Sequence, residues 1–210
     1  MNINSLVEKL KVRLTEPLPG LQAQLTMSST TRIRELMRYT IPDHAVPSSV
    51  LVLLYPVENE AYTVFIRRPK YDGIHSGQIS LPGGKAEEDD ADPAMTALRE
   101  AREEIGIIPE HVTILGKLTD LYIPPSNFLV SPYIGYTQAR PEFSIDLQEV
   151  EEVIEVRVDD LLSGDHLQVV DIRVRDEIQV TAPAWVIDRQ IIWGATAMML
   201  AEFCEIVRKK

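Results

Sequence analysis

The chain has 210 residues, 45% of them hydrophobic, a single cysteine and a formal net charge of −11. That length buries a full core, as one large domain or as one domain with an N-terminal extension, and the second arrangement is favoured here. The acidic balance excludes a general nucleic-acid binder, which needs clustered Lys and Arg against phosphate, and does not suit an anionic membrane surface.

Ile3, Leu6, Leu10 and Leu14 recur at helical spacing, P-L-P-G breaks the pattern, and a second amphipathic run carries Ile33, Leu36 and Met37. Residues 1–45 therefore read as a helical N-terminal extension and 46–210 as the main domain. The N-terminus lacks the apolar core of a signal peptide. No apolar run approaches the roughly 20 residues of a membrane span, so a cytoplasmic protein is expected. From residue 50 the character changes to short apolar and β-branched runs. Val50 to Tyr55 and Tyr62 to Ile66, separated by P-V-E-N-E, predict a hairpin. Further strands are expected at 112–118, 128–136, 150–156, 166–174 and 179–186, with a proline-rich loop at 121–130 whose Tyr122 and Phe128 suit either a pocket wall or a connector. The last 18 residues read as a helix, and Cys204 within it as a buried core thiol in a reducing compartment. The sum is an α/β (α+β) layered domain, a mixed central sheet sandwiched by helices. The apolar terminal helices leave room for a homodimer interface, or for packing on their own sheet.

The segment with chemical content is the helix at about 93–105. Asp92 is its expected N-cap, Pro93 its first residue and Gly106 its stop. Ala94, Ala97, Leu98, Ala101 and Ile105 form a stripe of mostly small residues that permits close approach to a sheet. Another face stacks Glu100, Glu103 and Glu104 at i, i+3 and i+4. Like charges at this spacing cost about 0.2–0.5 kcal/mol per pair, and carboxylates in a last turn oppose the macrodipole by about 0.3–1 kcal/mol each. A solvated face partly neutralised by Arg99 and Arg102 is the bland reading. A P-G-G turn after a strand-like segment, a capped helix and a glycine stop favour another, in which three oxygen donors hold Mg²⁺ or Mn²⁺.

R-E-A-R-E-E-I-G-I, Arg99 to Ile107, resembles the second half of the Nudix box, G-x5-E-x7-R-E-U-x-E-E-x-G-U with U aliphatic. In the first half Ala91 stands at the isolated acidic position, because one extra residue separates the glycine pair from Arg99. That longer spacing, with G-G-K at its start and Asp90 near the acidic position, is similar to the Nudix hydrolases that cleave coenzyme A. Upstream, Arg68, Gly77 and Pro82 to Gly84 match that subgroup's L-L-T-x-R-[S/A]-x3-R-x3-G-x3-F-P-G-G, whereas Pro69, Gly73 and Leu81 depart from it. Gly73 stands where a second arginine belongs. I-W-G-A-T-A near Trp193 and E-V-E-E-V at 149–153 extend the likeness along most of the chain.

The resemblance implies metal-dependent hydrolysis of a diphosphate in coenzyme A or acyl-CoA, to 4′-phosphopantetheine or its acyl form and adenosine 3′,5′-bisphosphate. Glu100, Glu103 and Glu104 would hold Mg²⁺ or Mn²⁺ with a backbone carbonyl at Gly83 or Gly84. Arg99 would orient the glutamates, and the base would be Glu100, Glu149 or Glu152. Arg67, Arg68, Lys70, Gly77 and Lys85 would contact a phosphate-rich small molecule, no nucleic acid or membrane being implied. Two other readings stay open. One keeps the chemistry on ADP-ribose, NADH or another nucleoside diphosphate derivative. The other is a nucleotide-sensing module without catalysis, against which the retained acidic face counts.

Overall fold

The computed structural model describes residues 1–29, 40–69, 77–174 and 178–209. Lys70, Gly73 and His75, and the run containing Ile33, Leu36 and Met37, lie outside the described residues.

The sheet is built outward from β1 (Val46–Val57) and β2 (Glu60–Arg67), an antiparallel hairpin as its pattern predicts. Its two-residue turn, Glu58 at φ 51° and Asn59 at φ 70°, is the mirror-image type whose twist matches the flanking strands. The second edge of β1 pairs in parallel with β7 (Phe128–Tyr136), from Val46 opposite Phe128 to Leu54 opposite Tyr136. β5 (Thr113–Lys117) adds to β7, and β8 (Glu152–Arg157) adds to β2. The hairpin diverges at its open end. β3 (Ile79–Ser80) pairs there with Ile66 and Arg67, while β4 (Gly83–Lys85) pairs with Ser48 to Val50. The P-G-G turn thus fills the split between β1 and β2. Neither short strand is visible in the pattern, because two or three residues show no period and Gly-Gly reads as a turn.

Helices cover both faces. Leu51, Leu53 and Tyr55 of β1 point to α3 (Pro93–Ile105), packing with Ala97, Leu98, Ala101 and Ile105, while Val52 and Leu54 point to the opposite core. Burial on both sides explains why this strand is a continuous apolar run rather than an alternating one. The opposite core holds α1 (Ile3–Arg13), through Ile3, Leu6, Val7 and Leu10, and α5 (Gly194–Arg208). Among the described residues the other helices are the short α2 (Leu21–Leu25) and α4 (Val158–Leu162). The N-terminal helix therefore packs on the chain's own sheet. A smaller antiparallel sheet of β9 (Leu167–Val174), β10 (Ile178–Ile187) and β11 (Gln190–Ile192) feeds Trp185, Ile187 and Ile192 into the same core. Cys204 is fully buried, and burial pushes its thiol up to about 12, so it is an inert core group.

The layered α/β class, the main strands and the terminal helix are as the sequence predicts. The segment at 121–130 is a correction: it is mostly ordered backbone, β6 (Leu121–Ile123) hairpinned to β7 through a 3₁₀ turn at Pro124–Ser126. Tyr122 is buried and donates its hydroxyl to Asn127 Oδ1 at 2.9 Å. Among the described residues no helix is long and apolar enough to cross a membrane.

Candidate metal centre and active site

α3 forms where expected, for the expected reasons. Asp92 caps it by accepting from the Ala94 and Met95 amides at 2.8 and 3.0 Å, Pro93 opens it, and Gly106 ends it at φ 72°. Its alanines allow the helix to sit low on β1, which brings Glu100 and Glu104 against the P-G-G turn. A Cβ on Gly84 would stand 2.4 Å from Glu100 Oε2, so that carboxylate lies directly against the glycine and would have to move for any side chain there.

Glu104 is 1% exposed. Its Oε2 accepts the Gly83 amide at 2.8 Å, and Arg68 lies 3.7 Å from Oε1 while donating to the Gly83 carbonyl at 3.2 Å. Desolvation drives its carboxyl up to about 8, opposed by Arg68 and the Gly83 amide and assisted by the nearby Glu100 and Glu149. Glu100 is also raised, chiefly by burial, with Arg99 pulling the other way. One carboxylate oxygen each from Glu100, Glu104 and Glu149 lie within 4.8 Å of one another. Glu149 comes from the connection between β7 and β8, so the third carboxylate reaches α3 from nearly fifty residues downstream.

Glu103, the middle glutamate of the motif, is not in that cluster. It is half exposed and accepts from Arg99 Nη1 at 2.9 Å. The same Nη1 donates to Glu100 Oε1 at 3.0 Å, while Nε and Nη2 take Asp90 Oδ1 and Oδ2, each at 3.0 Å, and Nη2 takes the Lys85 carbonyl at 2.9 Å. Arg99 is therefore a bracket joining the P-G-G strand, the helix approach and two glutamates. Asp90 is its main counter-charge, held well below the ordinary carboxylate range, to about 2, by Arg99 in the first place. The sequence marks Asp90 only as an acidic residue near a consensus position; its bidentate role depends on a loop that folds back on α3.

The remaining candidates separate by face. Arg67 and Glu152 are directly opposite on β2 and β8 and pair at 3.1 Å; Arg67 also donates to Gln190 Oε1 and, at 3.5 Å, to the Gly77 carbonyl. Both belong to the face away from α3, because residues 65 and 67 alternate with Val64 and Ile66, which lie under α3. Arg67 thus ties β2 to the small sheet, and Glu152 is its partner rather than a neighbour of Glu104. Gly77, at φ 66°, closes the turn leading into β3. Lys85 is exposed beside Arg99.

The donor set fits a hard divalent cation. It consists of carboxylate oxygens alone, two of them substantially desolvated and raised, which is the state a bound cation relieves.

Comparison with known proteins gives the family and the fold. Residues 46–173 match the family model described as NUDIX domain. A protein of Pectobacterium atrosepticum named uncharacterized Nudix hydrolase NudL is 35% identical over 126 residues, which is 60% of this chain and 65% of that protein. The chain thus spans just under two thirds of that relative's length. A Yersinia pestis protein of the same name is 33% identical over 148 residues, covering 70% of this chain and 73% of its own length. Among solved structures, the M. smegmatis Nudix hydrolase RenU superposes with a TM-score of 0.52 at 16% identity, over 77% of this chain and 85% of its own, a likeness of fold.

Proposed function

The chain belongs to the Nudix hydrolase family, and on that premise we propose that it is a Mg²⁺- or Mn²⁺-dependent pyrophosphohydrolase acting on coenzyme A or acyl-CoA. The observation that carries the chemistry is the convergence of Glu100, Glu104 and Glu149 within 4.8 Å beside the Gly83–Gly84 turn. When bound, the cation supplies charge neutralisation on the diphosphate and lowers the pKa of water. The chain's own residues do the rest. Arg99 fixes Glu100 and draws Glu103 onto the same guanidinium, and Arg68 offsets the charge on Glu104 at the buried end. Glu149, the exposed member of the cluster, accepts the proton of the attacking water. A water oxygen–phosphorus bond forms, the anhydride P–O bond breaks, and the leaving phosphate departs with its electron pair.

The coenzyme A assignment is supported by the register of Arg68, Gly77 and P-G-G with that subgroup's signature. Of the basic residues flanking the turn, Arg68 lies 3.7 Å from Glu104, Lys85 meets Arg99 through its backbone carbonyl and is exposed, and Arg67 is engaged with Glu152. The test is product analysis with purified protein, Mg²⁺ or Mn²⁺, and CoA beside 3′-dephospho-CoA and ADP-ribose, with Glu100→Gln as control. Release of phosphopantetheine from CoA in preference to the dephospho analogue supports the assignment. Equal or faster cleavage of ADP-ribose or dephospho-CoA, which Gly73 at the arginine position would explain, retains the diphosphatase and removes the coenzyme A preference. Metal-dependent nucleotide binding without cleavage leaves the sensing-module reading.

A further inference from the structure

Glu149 belongs to no helix or strand, yet it must meet two carboxylates fixed on α3. Its position is built by backbone bonds to the end of that helix. The Ser144 amide donates to the Ile105 carbonyl at 3.0 Å and the Asp146 amide to the Glu104 carbonyl at 3.2 Å, using acceptors that a helix C-terminus leaves unpaired. A Cβ on Gly106 would lie 2.8 Å from both Cβ and O of Ser144, so the glycine that stops α3 also seats this crossing. From there residues 146–150 make one turn. The Asp146 carbonyl accepts from the Glu149 and Val150 amides at 3.0 and 2.8 Å, and Asp146 Oδ1 accepts from the Gln148 amide at 2.8 Å. Val150 is fully buried below, and the Glu151 amide bonds the Arg67 carbonyl at 2.8 Å. Upstream, Arg140 grips Glu155 through two hydrogen bonds and Phe143 packs edge-on against Tyr55, 5.8 Å between ring centroids.

A lone turn has no intrinsic stability, because its few bonds do not offset the order it requires. Its cap therefore decides how often Glu149 occupies the cluster. We propose that Asp146, whose exposed side chain bonds the Gln148 amide and none of the cluster carboxylates, is a positioning residue for Glu149: by capping the 146–150 turn on the end of α3 it holds the third carboxylate of the cation site in place. This rests on the metal-site reading above.

The experiment is Mn²⁺ binding to metal-free full-length protein by titration calorimetry, with thermal melts alongside. The proteins are wild type, Asp146→Ala, Asp146→Asn, Glu149→Gln, Glu104→Gln and the Asp146→Ala/Glu149→Gln double variant. Asp146→Ala weakens Mn²⁺ binding about fivefold, the scale of a lost cap, at an unchanged Tm. Asp146→Asn keeps the acceptor oxygen and restores near wild-type affinity. In the double variant the alanine adds nothing to the glutamine, because Asp146 acts only through Glu149. Unchanged affinity in Asp146→Ala, failure of the asparagine to restore it, or full additivity overturns the proposal while Glu104→Gln and Glu149→Gln still weaken binding. If those two variants bind as tightly as wild type, the metal site itself is wrong and the proposal falls with it.

Discussion

Two helices each bury a glutamate, and the two are treated in opposite ways. Glu202 on α5 is fully buried and accepts from four donors, the Gly20 amide at 3.1 Å, Gln24 Nε2 at 2.9 Å, the Thr119 amide at 3.1 Å and Thr119 Oγ1 at 2.7 Å. Glu104 on α3 is 1% exposed, accepts one amide, has Arg68 only at 3.7 Å, and shares its surroundings with Glu100 and Glu149. Burial alone therefore does not mark a functional carboxylate. The mark is burial with too few donors and with other carboxylates close by, an arrangement that stability alone does not explain. Glu202 joins the N-terminal segment, the loop before β6 and the C-terminal helix into one core; Glu104, on the function proposed above, is held for a ligand.

The sharpest way to break this contrast is to neutralise each in turn. Glu104→Gln keeps an acceptor for the Gly83 amide and removes the charge. Diphosphate hydrolysis should fall about 10²- to 10³-fold, while the metal-free melting temperature stays level or rises. A stopped assay and a thermal melt on one preparation decide it. Glu202→Ala should do the reverse. It orphans several buried donors and costs about 2–4 kcal/mol in a urea titration, with turnover per folded molecule kept within about twofold.

The third prediction separates the sites by pH. Because burial holds Glu104 at about 8 against an ordinary 4.5, protons compete with the cation up to that pH. Apparent Mn²⁺ affinity should rise about tenfold per unit between pH 6 and 8 and then flatten. In the metal-free protein the sign is opposite: the folded state retains the proton longer than the unfolded chain, so Glu104 subtracts stability as pH climbs from about 4.5 to 8. Calorimetry at several pH values, and melts of wild type against Glu104→Gln, read both limbs. The smallest effect belongs to Asp90. Its carboxyl is depressed to about 2 by Arg99, so its contribution is complete above the ordinary value of 3.8 and is lost as pH falls through 2. Asp90→Asn should remove that acid limb from the stability profile, the loss being complete at neutrality and vanishing as pH falls through 2.

Much of the fold was legible in local pattern. The β1–β2 hairpin, β7, α3 with its caps, and α5 are long enough for period and punctuation to show. β3, β4 and β6 were not, because strands of two or three residues carry no period and take their identity from the partner they pair with. The helical part of the candidate site was equally legible, since Arg99, Glu100 and Glu104 share one helix whose spacing fixes their faces. Glu149 appeared only as one of several candidates for a base, and Asp90 only as an acidic residue of unstated role.

The sequence by itself determined the layered class, the capped helix and its acidic face, since each follows from residues within a few positions of one another. Tertiary structure alone decided which carboxylates meet. Glu152 turned to Arg67, while Glu149 crossed the end of α3 on Ser144 and Asp146 to join Glu100 and Glu104; the pairing of Glu103 with Arg99, by contrast, is a local i, i+4 contact. The physical reason is the range of the interactions. Helix periodicity is set by bonds four residues apart, whereas the cluster is closed by backbone hydrogen bonds between residues about forty apart, and those exist only once the sheet has brought the two segments together.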